Sequence, residues 1–323
     1  MSYVIGVDLG GTKIYTVLAD DEGWVLAELE VPTKKEEGYT AVVGRIADTV
    51  RAVWAESGLP GEGPAAIGLG APGPLDADRG VVFLAPNLGW RDVPLRDDLQ
   101  RLVGVPVYLE NDGNLAALGE HTFGAGWGVR DLLYVTVSTG IGGGLILGGK
   151  VYRGTGGAGE IGHITVLPDG PPCSCGNRGC LEAVASGTAI ARDARELIGD
   201  GRGKKILALA GEPEKVTSVT VAEAARAGDP EAQALLGRAA RFLGIGLAAA
   251  VNLLSPELII LGGGVMKSGD LLWAEMEREL RARALGANCA RVRLMRAALG
   301  GRAGGLGAVA LALRMSAVGG QES

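Results

Sequence analysis

The sequence predicts a duplicated α/β fold, two domains with a cleft between them, and three observations carry that prediction. A strand, a glycine-rich turn and a second strand occur twice, as "VIGVDLGGTKIYTVLADDEGWVL" near the N-terminus and as "LLYVTVSTGIGGGLILGGKVYRG" after Gly128. The two match in shape though not in most residues. Each is followed by apolar runs that switch between strand and helix periods. Of the 323 residues 47% are apolar but only 4% aromatic, so the cores must be built from Ala, Val, Leu and Ile. No low-complexity linker separates the halves, which are therefore expected to pack closely.

In chain order, the first stretch reads as three strands joined by tight turns at GGTK and DDEG. "YTAVVGRIADTVRAVWAESG" has apolar residues at helical spacing and stops at Gly58. A strand (AAIGLGAP), a short helix (LRDDLQRLVG), a strand (VPVYLE) and a helix beginning near Asn114 follow. After the second hairpin come helices over about 187–199 and 230–254, a strand (ELIILGGG), a helix (LLWAEMERELRARAL), a strand (RVRLMRA) and a last helix (GGLGAVALALRM). The expected domains are a small N-terminal one over 1–113, completed by the C-terminal helix at about 304–316, and a large one over 114–303 that carries the cysteines.

Composition excludes several function classes. The formal net charge is −6 and no long Lys/Arg run occurs, which argues against a nucleic-acid partner. The 55 glycines show no three-residue period and gather at the ends of apolar runs, where backbone has to approach something closely. The N-terminal run "YVIGV" is interrupted by Asp8, unlike a signal peptide. "FLGIGLAAAVNLL" is broken by Asn252 and stopped by "SPE", which reads as too short to span a bilayer. A soluble cytoplasmic protein with no membrane partner is expected. Thiols stay reduced there, so a cysteine cluster reads as metal-binding before disulfide.

That cluster is "HITVLPDGPPCSCGNRGCLE", with His163, Cys173, Cys175 and Cys180 spaced H-x9-C-x-C-x4-C. Three thiolates and an imidazole fill the tetrahedral shell of Zn²⁺ and leave no open position, which is the structural type of site. Elsewhere the chain lacks G-x-x-x-x-G-K-[ST], so it has no Walker loop. "GLGAPG" matches G-x-G-x-x-G, but Pro72 and Pro74 follow where a helix should start, so the dinucleotide fingerprint fails its own context. "DLGGTK" and "STGIGGG" occupy equivalent places in the two halves, and such turns offer backbone N–H groups to phosphate oxygens. Either alone reads as an ordinary hairpin turn. The pair, with "LGGGV" after a late buried strand, favours nucleotide.

These motifs, with "GAPGPLD", "APNLGW", "ENDGNLAALGE", "GEIGH", "CSCGNRGCLE", "ASGT" and "IILGGG", give the chain a resemblance to the ROK family of sugar kinases and sugar-responsive repressors, within the actin-like ATPase (ribonuclease H-like) superfamily. It is most similar to the family's bacterial glucokinases, and the likeness runs from Val4 to about Ala310. The resemblance implies ATP-dependent phosphorylation of glucose at its 6-hydroxyl, with Mg²⁺ carried by ATP and a structural Zn²⁺. Asp112 then corresponds to the base that accepts the hydroxyl proton, where a plainer reading makes it a helix cap. Asn87, Asn111, Asp112, Glu160, His163 and Glu182 correspond to sugar contacts. Asp8 faces the Mg²⁺–ATP phosphates. Gly10, Gly11, Thr12, Lys13, Ser138, Thr139, Gly140, Gly262, Gly263 and Gly264 belong to the phosphate loops, though Lys13 could equally be solvated. The zinc, held by His163, Cys173, Cys175 and Cys180, is expected to organise the sugar site and to do no chemistry. Family members are commonly dimers or tetramers, so a homodimer or homotetramer is expected. Cys289 reads as a buried core thiol and His121 as a helix-end residue.

The alternatives are a kinase for N-acetylglucosamine, N-acetylmannosamine, mannose or fructose, a donor other than ATP (ADP or polyphosphate), and a sugar-sensing repressor. Repressors of the family carry an N-terminal helix-turn-helix, whereas this chain is expected to enter its first strand at Tyr3.

Overall fold

Near-continuous buried apolar runs form β1 (Val4–Leu9) and β2 (Lys13–Ala19), which pair antiparallel, and β3 (Val25–Pro32) adds to β2 as an antiparallel strand with mixed exposure. The structure is a computed structural model and describes residues 2–61 and 63–319. Helix α1 (Tyr39–Ser57) buries Val42, Val43, Ile46, Val50 and Val53, one face at helical spacing, and ends at Gly58 in the left-handed region. The fully buried β4 (Ala66–Ala71) pairs parallel to β1. A small antiparallel sheet of β5 (Leu75–Asp76), β6 (Val81–Ala85) and β7 (Trp90–Val93) follows, then α2 (Leu95–Val103), β8 (Val107–Asn111) and α3 (Asp112–Phe123). The first large sheet runs β3-β2-β1-β4-β8.

The second hairpin is β9 (Leu132–Val137) and β10 (Ile141–Leu147), with a short β11 (Lys150–Val151). Helices α4 (Leu181–Ala185), α5 (Gly187–Gly199), α6 (Lys204–Ala210), α7 (Ser218–Arg226) and α8 (Pro230–Leu254) precede β12 (Leu258–Gly262). They are followed by α9 (Trp273–Arg283), α10 (Gly286–Cys289), β13 (Arg293–Arg296) and α11 (Ala303–Gly319). This sheet runs β11-β10-β9-β12-β13, so the two sheets share an order in which a hairpin precedes parallel strands. Helices α5 and α8 fall where their periodicity puts them. The β5–β7 sheet, α4, α6 and α7 are additions to the sequence reading. Helix α8 is long and apolar enough to cross a membrane by length and composition, contrary to the sequence reading of its apolar run as too short. Its Ala239, Ala240, Leu243, Leu247 and Val251 are buried inside the protein, so it serves as a core helix.

The chain packs as two compact units. The first runs to Leu132 and takes in Gly144–Gly159 and the chain from Ala297 onward; the second comprises Leu133–Gly143 and Glu160–Arg296. The division differs from the boundary expected at 113/114 because α3 packs along α11 and stays with the first unit. Glu120, fully buried near the end of α3, strengthens that attachment. Its carboxylate accepts hydrogen bonds from the N–H groups of Ala125 (2.9 Å), Ala298 (3.1 Å) and Leu299 (2.8 Å).

Helix α11 lies directly on the sheet backbone. A Cβ at Gly6 of β1 would overlap the carbonyl oxygen of Gly305, and one at Gly68 of β4 would overlap that of Ala308. A Cβ at Gly307 would overlap the backbone of Leu115 in α3. No flexible side chain stands in the way to yield, so these positions need glycine for approach. Gly68→Ala is expected to destabilise the protein by about 3 kcal/mol or more through overpacking. Gly44→Ala, inside α1 with nothing within 4 Å of the added methyl, is expected to raise stability by about 0.5–1 kcal/mol. Urea unfolding of the two variants measures both.

Candidate active site and metal centre

The candidate residues of the first unit gather at the C-terminal ends of its parallel strands, where α/β sheets place reacting groups. The register aligns Asp8 with Gly70 and Gly70 with Glu110, and Ala71 with Asn111. Asp8 and the Asn111–Asp112 pair therefore line one end of the sheet, two strand spacings or about 10 Å apart. Asp8 is only slightly reached by solvent and packs where Gly304 of α11 leaves no room for a side chain. Burial raises its pKa to about 6, partly offset by the Lys13 ammonium.

Asn111, rather than Asp112, caps α3. Its side-chain oxygen accepts from Gly113 N (2.9 Å) and Asn114 N (3.3 Å), while its Nδ2 approaches Gly73 O at 3.4 Å. Asp112 is the first residue of the helix, exposed, with Oδ1 accepting from Gly113 N at 2.8 Å. Behind them Glu110 is 1% exposed and fully engaged. It accepts from Asn111 N (3.0 Å) and Asn114 Nδ2 (3.0 Å) and pairs with Arg153 Nε at 2.6 Å. Sequence reading named Glu110 only as part of its motif. Nothing local marks Arg153, which comes from a segment 43 residues away.

The first glycine turn is closed by Gly10 N to Lys13 O (2.9 Å) and braced by Thr33, whose hydroxyl donates to Gly10 O (2.7 Å). A Cβ on Gly11 would lie 3.1 Å from Asn87 Cβ, so the β6–β7 turn sets Asn87 against this loop. Thr12 is exposed at its tip. Lys13 is engaged elsewhere, paired with Glu30 of β3 at 2.6 Å, both side chains about half exposed.

In the second unit, Ser138 N donates to Gly140 O (2.8 Å), and the start of α5 grips the loop through Gly187 N to Ser138 O (2.8 Å) and Thr188 Oγ1 to Thr139 O (2.8 Å). Gly262 ends β12, Gly263 takes φ +92° against the backbone of Val137, and Gly264 lies beside Ser138 Oγ. The two glycine runs of this unit are thus neighbours.

The four metal-type donors, His163, Cys173, Cys175 and Cys180, all lie within 4.8 Å of one another. Cys175 and Cys180 sulfurs are 3.7 Å apart, and Cys173 Sγ is 3.6 Å from His163 Nδ1. A Zn²⁺ with tetrahedral bonds of the usual length separates its ligands by about 3.5–3.8 Å, so the donor set fits. The knuckle is pre-formed by backbone bonds, Cys173 N to Asn177 O (2.8 Å) and Gly176 N to Cys173 O (3.0 Å). Burial, then the neighbouring sulfurs, push the Cys180 thiol up to about 12, while the Asn177 N–H lowers that of Cys175. A divalent cation would reverse the first shift by favouring the thiolate. With Nδ1 turned to the sulfurs, His163 Nε2 faces Glu160, 4.0 Å away.

Both arms of the knuckle reach Ile141, next to the second glycine loop. Gly162, in the turn carrying His163, abuts Ile141 O, and Glu182, two residues past Cys180, accepts from Ile141 N at 2.9 Å. Gly140 has no room for a side chain because the Glu182 carboxylate is there.

The two remaining residues are structural. His121, in the last turn of α3, bonds Val129 O through Nε2 (2.9 Å) and meets Arg314 at Nδ1 (3.2 Å); burial, then Arg314, lower its pKa and keep it neutral. Cys289 is buried in α10.

The sequence profile of the ROK family matches residues 4–315, and the chain belongs to that family. It is 40% identical to a glucokinase of Streptomyces coelicolor over 97% of this chain and 98% of that protein. Among solved structures it is similar to a ROK family glucokinase from Streptomyces griseus in complex with glucose and AMPPNP, at 39% identity and TM-score 0.82, over 97% of this chain and 100% of that one. It is also similar to a ROK hexokinase from Thermus thermophilus, at 41% identity and TM-score 0.81, over 99% and 100%. The actin-like ATPase fold expected from the motifs is thereby shown.

Elemental analysis is expected to find about one zinc per chain, the content of one Cys₃His shell. Cys180→Ala should lose it, whereas Glu182→Gln should keep it, because Glu182 bonds the Ile141 backbone instead of the cluster. Asp8 makes a pH prediction. A carboxyl with a raised folded pKa binds its proton more tightly in the folded state, so its contribution to stability is present below about pH 4 and is lost as pH rises through 6. Asp8→Asn, which cannot ionise, should be about 2–3 kcal/mol more stable than the parent at pH 8, with the difference fading below pH 4. Unfolding curves across that range measure it.

Proposed function

We propose that this ROK-family chain is a cytoplasmic ATP-dependent glucokinase, transferring the γ-phosphoryl group of ATP to the 6-hydroxyl of D-glucose, and that it works as a homodimer or homotetramer. The observation that carries this reading is Asp112, an exposed carboxylate on the first turn of a helix at a strand end, where Asn111 rather than Asp112 provides the cap. Identity near 40% to glucokinases over almost the whole chain supports the same substrate class.

In this reading Asp112 accepts the proton of the attacking hydroxyl and holds that oxygen toward the phosphorus. Asn111 contacts the sugar through its amide hydrogens only, since its oxygen is spent on α3, and Asn87 adds a second amide. Asp8 faces the phosphates and their Mg²⁺, through water as suits that ion. Mg²⁺ supplies positive charge against the phosphate oxygens. The backbone N–H groups of Gly11 and Thr12, of Thr139 and Gly140, and of the Gly262–Gly264 run would cradle those oxygens, since Gly10 N and Ser138 N close their own turns; Lys13, paired with Glu30, serves as a distant charge at most.

Zinc takes no part in the transfer. A closed shell of four protein donors leaves no place for water or substrate, and its effect is to fix the knuckle. Glu160 and Glu182 then accept hydrogen bonds from sugar hydroxyls and His163 donates through Nε2, in the manner of metal-bound imidazoles. Because one Glu182 oxygen is held by Ile141 N, the same side chain would join a sugar contact to the phosphate loop.

A coupled kinase assay over a panel of sugars and donors tests the reading, with the highest kcat/KM expected for glucose with ATP. Preference for an N-acetylhexosamine would make the chain one of the alternative kinases. Sugar binding without turnover would make it a regulator. Asp112→Asn is expected to lower kcat by roughly 10²–10⁴-fold while calorimetry shows glucose affinity mostly retained; near-normal turnover in a folded variant would remove Asp112 from the role of base.

A further inference from the structure

We infer that the ion pair between the partly exposed Arg153 and the buried Glu110 positions the catalytic strand end, so that Arg153 is a positioning residue of the phosphoryl transfer although it touches neither substrate nor base. The inference rests on the kinase reading above and deepens it.

Glu110 is the last buried residue of β8 before Asn111 and Asp112. Its side chain is 2% exposed, and a carboxylate so removed from water needs a partner to stay ionised. Among the described residues Arg153 is the cation paired with it, Nε to Oε2 at 2.6 Å. The other oxygen, Oε1, holds the Asn111 N–H at 3.0 Å and Asn114 Nδ2 at 3.0 Å. The first of these bonds fixes the peptide that turns the strand into α3; the second reaches across the first helical turn. Asp112 lies between the two anchored residues. Its direction is therefore set by a carboxylate whose orientation is held by Arg153.

Two further observations fit a positioning role better than a purely stabilising one. Asn114 is 4% exposed and its Oδ1 has no hydrogen-bond partner among the described residues. Such an orphan costs stability, yet the amide is kept with its Nδ2 toward Glu110. A local rule broken without a gain in stability points to function. Arg153 is also held from behind. Its carbonyl accepts from Gly156 N (2.8 Å) and Ala158 N (3.2 Å), so the side chain projects from a closed turn. Positioning of this kind carries large weight, since a misplacement of about 1 Å at the reacting group can cost on the order of 10²-fold in rate.

The test uses the full zinc-containing protein and compares Arg153→Met, Arg153→Lys, Glu110→Gln and the double variant Glu110→Gln/Arg153→Met. A cavity of about 360 Å³ beside Arg153, lined by Arg96, Gln100, Tyr108, Leu311 and Met315 among others, gives a replacement side chain room without overpacking. Arg153→Met is expected to lower kcat per folded enzyme by roughly 30–100-fold while the KM values for glucose and ATP stay within about threefold. Arg153→Lys should recover most of the loss, because it restores the charge. The double variant should turn over at least fivefold faster than Arg153→Met, because a neutral amide at position 110 can hold Asn111 N–H without a counterion. A kcat for Arg153→Met within about threefold of the parent, in folded protein, overturns the inference, as does a double variant no faster than Arg153→Met. The parent rate is measured first in the same assay. A folded parent with no sugar-dependent ADP release overturns the kinase reading and this inference with it, whereas an active parent with an unimpaired Arg153→Met overturns this inference alone.

Discussion

Everything at the catalytic end of the first unit depends on the contact of α11 with bare sheet backbone. Helix-to-sheet packing normally leaves a layer of side chains between the two. Here Gly6 and Gly68 remove that layer, and on the helix side Gly304 and Gly305 leave room for Asp8 of β1 and Tyr15 of β2, while Gly307 admits the backbone of α3. Helix α11 thereby becomes part of the floor under β1 and β4, and Asp8, one residue before the end of β1, lies against Gly304. Small changes in the tilt of α11 would move the strand ends that hold Asp8 and, through Gly70, Glu110. Close-packed interiors resist such changes because there are no voids to absorb them.

A comparable economy holds in the second unit, where Ile141 is the shared point. The turn with His163 reaches it through Gly162, and the helix start after Cys180 reaches it through Glu182. In the proposed function, a metal at the knuckle would be felt by two kinds of substrate contact at once, by the sugar through Glu160, His163 and Glu182, and by phosphate through the loop that Ile141 follows. The side chain that joins the knuckle to the loop is Glu182, whose carboxylate accepts from Ile141 N. It is held by the loop, and zinc fixes where it starts.

How much of this was legible in the sequence follows from how local each signal is. The paired hairpins, α1 with its Gly58 stop, α5 and α8 were readable because one periodicity runs through each. The metal ligands were readable because three of them fall within eight consecutive residues. Asn111 and Asp112 were located, but their division of labour was not. Either can cap a helix, and only the backbone decides which one does. The short β5–β7 sheet was hidden by Pro74, Pro86 and strands of two to five residues. Arg153 and the clamp of Glu120 were invisible for another reason. Each joins residues from 43 to 179 positions apart, and no pattern in a window of sequence can announce a partner outside it.

The place of α11 in the chain has a consequence for how the protein is made. The first unit is discontinuous: its N-terminal sheet precedes the second unit in the chain and α11 follows it. On a ribosome adding roughly 5–20 residues per second, the N-terminal sheet waits on the order of ten seconds or more for the helix that covers Gly6 and Gly68. Through that interval its underside, including Val4, Val17 and Ala66, has no lid, since the buried partners that close it are Val309 and Ala312. The N-terminal unit thus reaches its final packing only once the second unit has been made, and the nascent chain presents an apolar sheet face to chaperones for most of its synthesis.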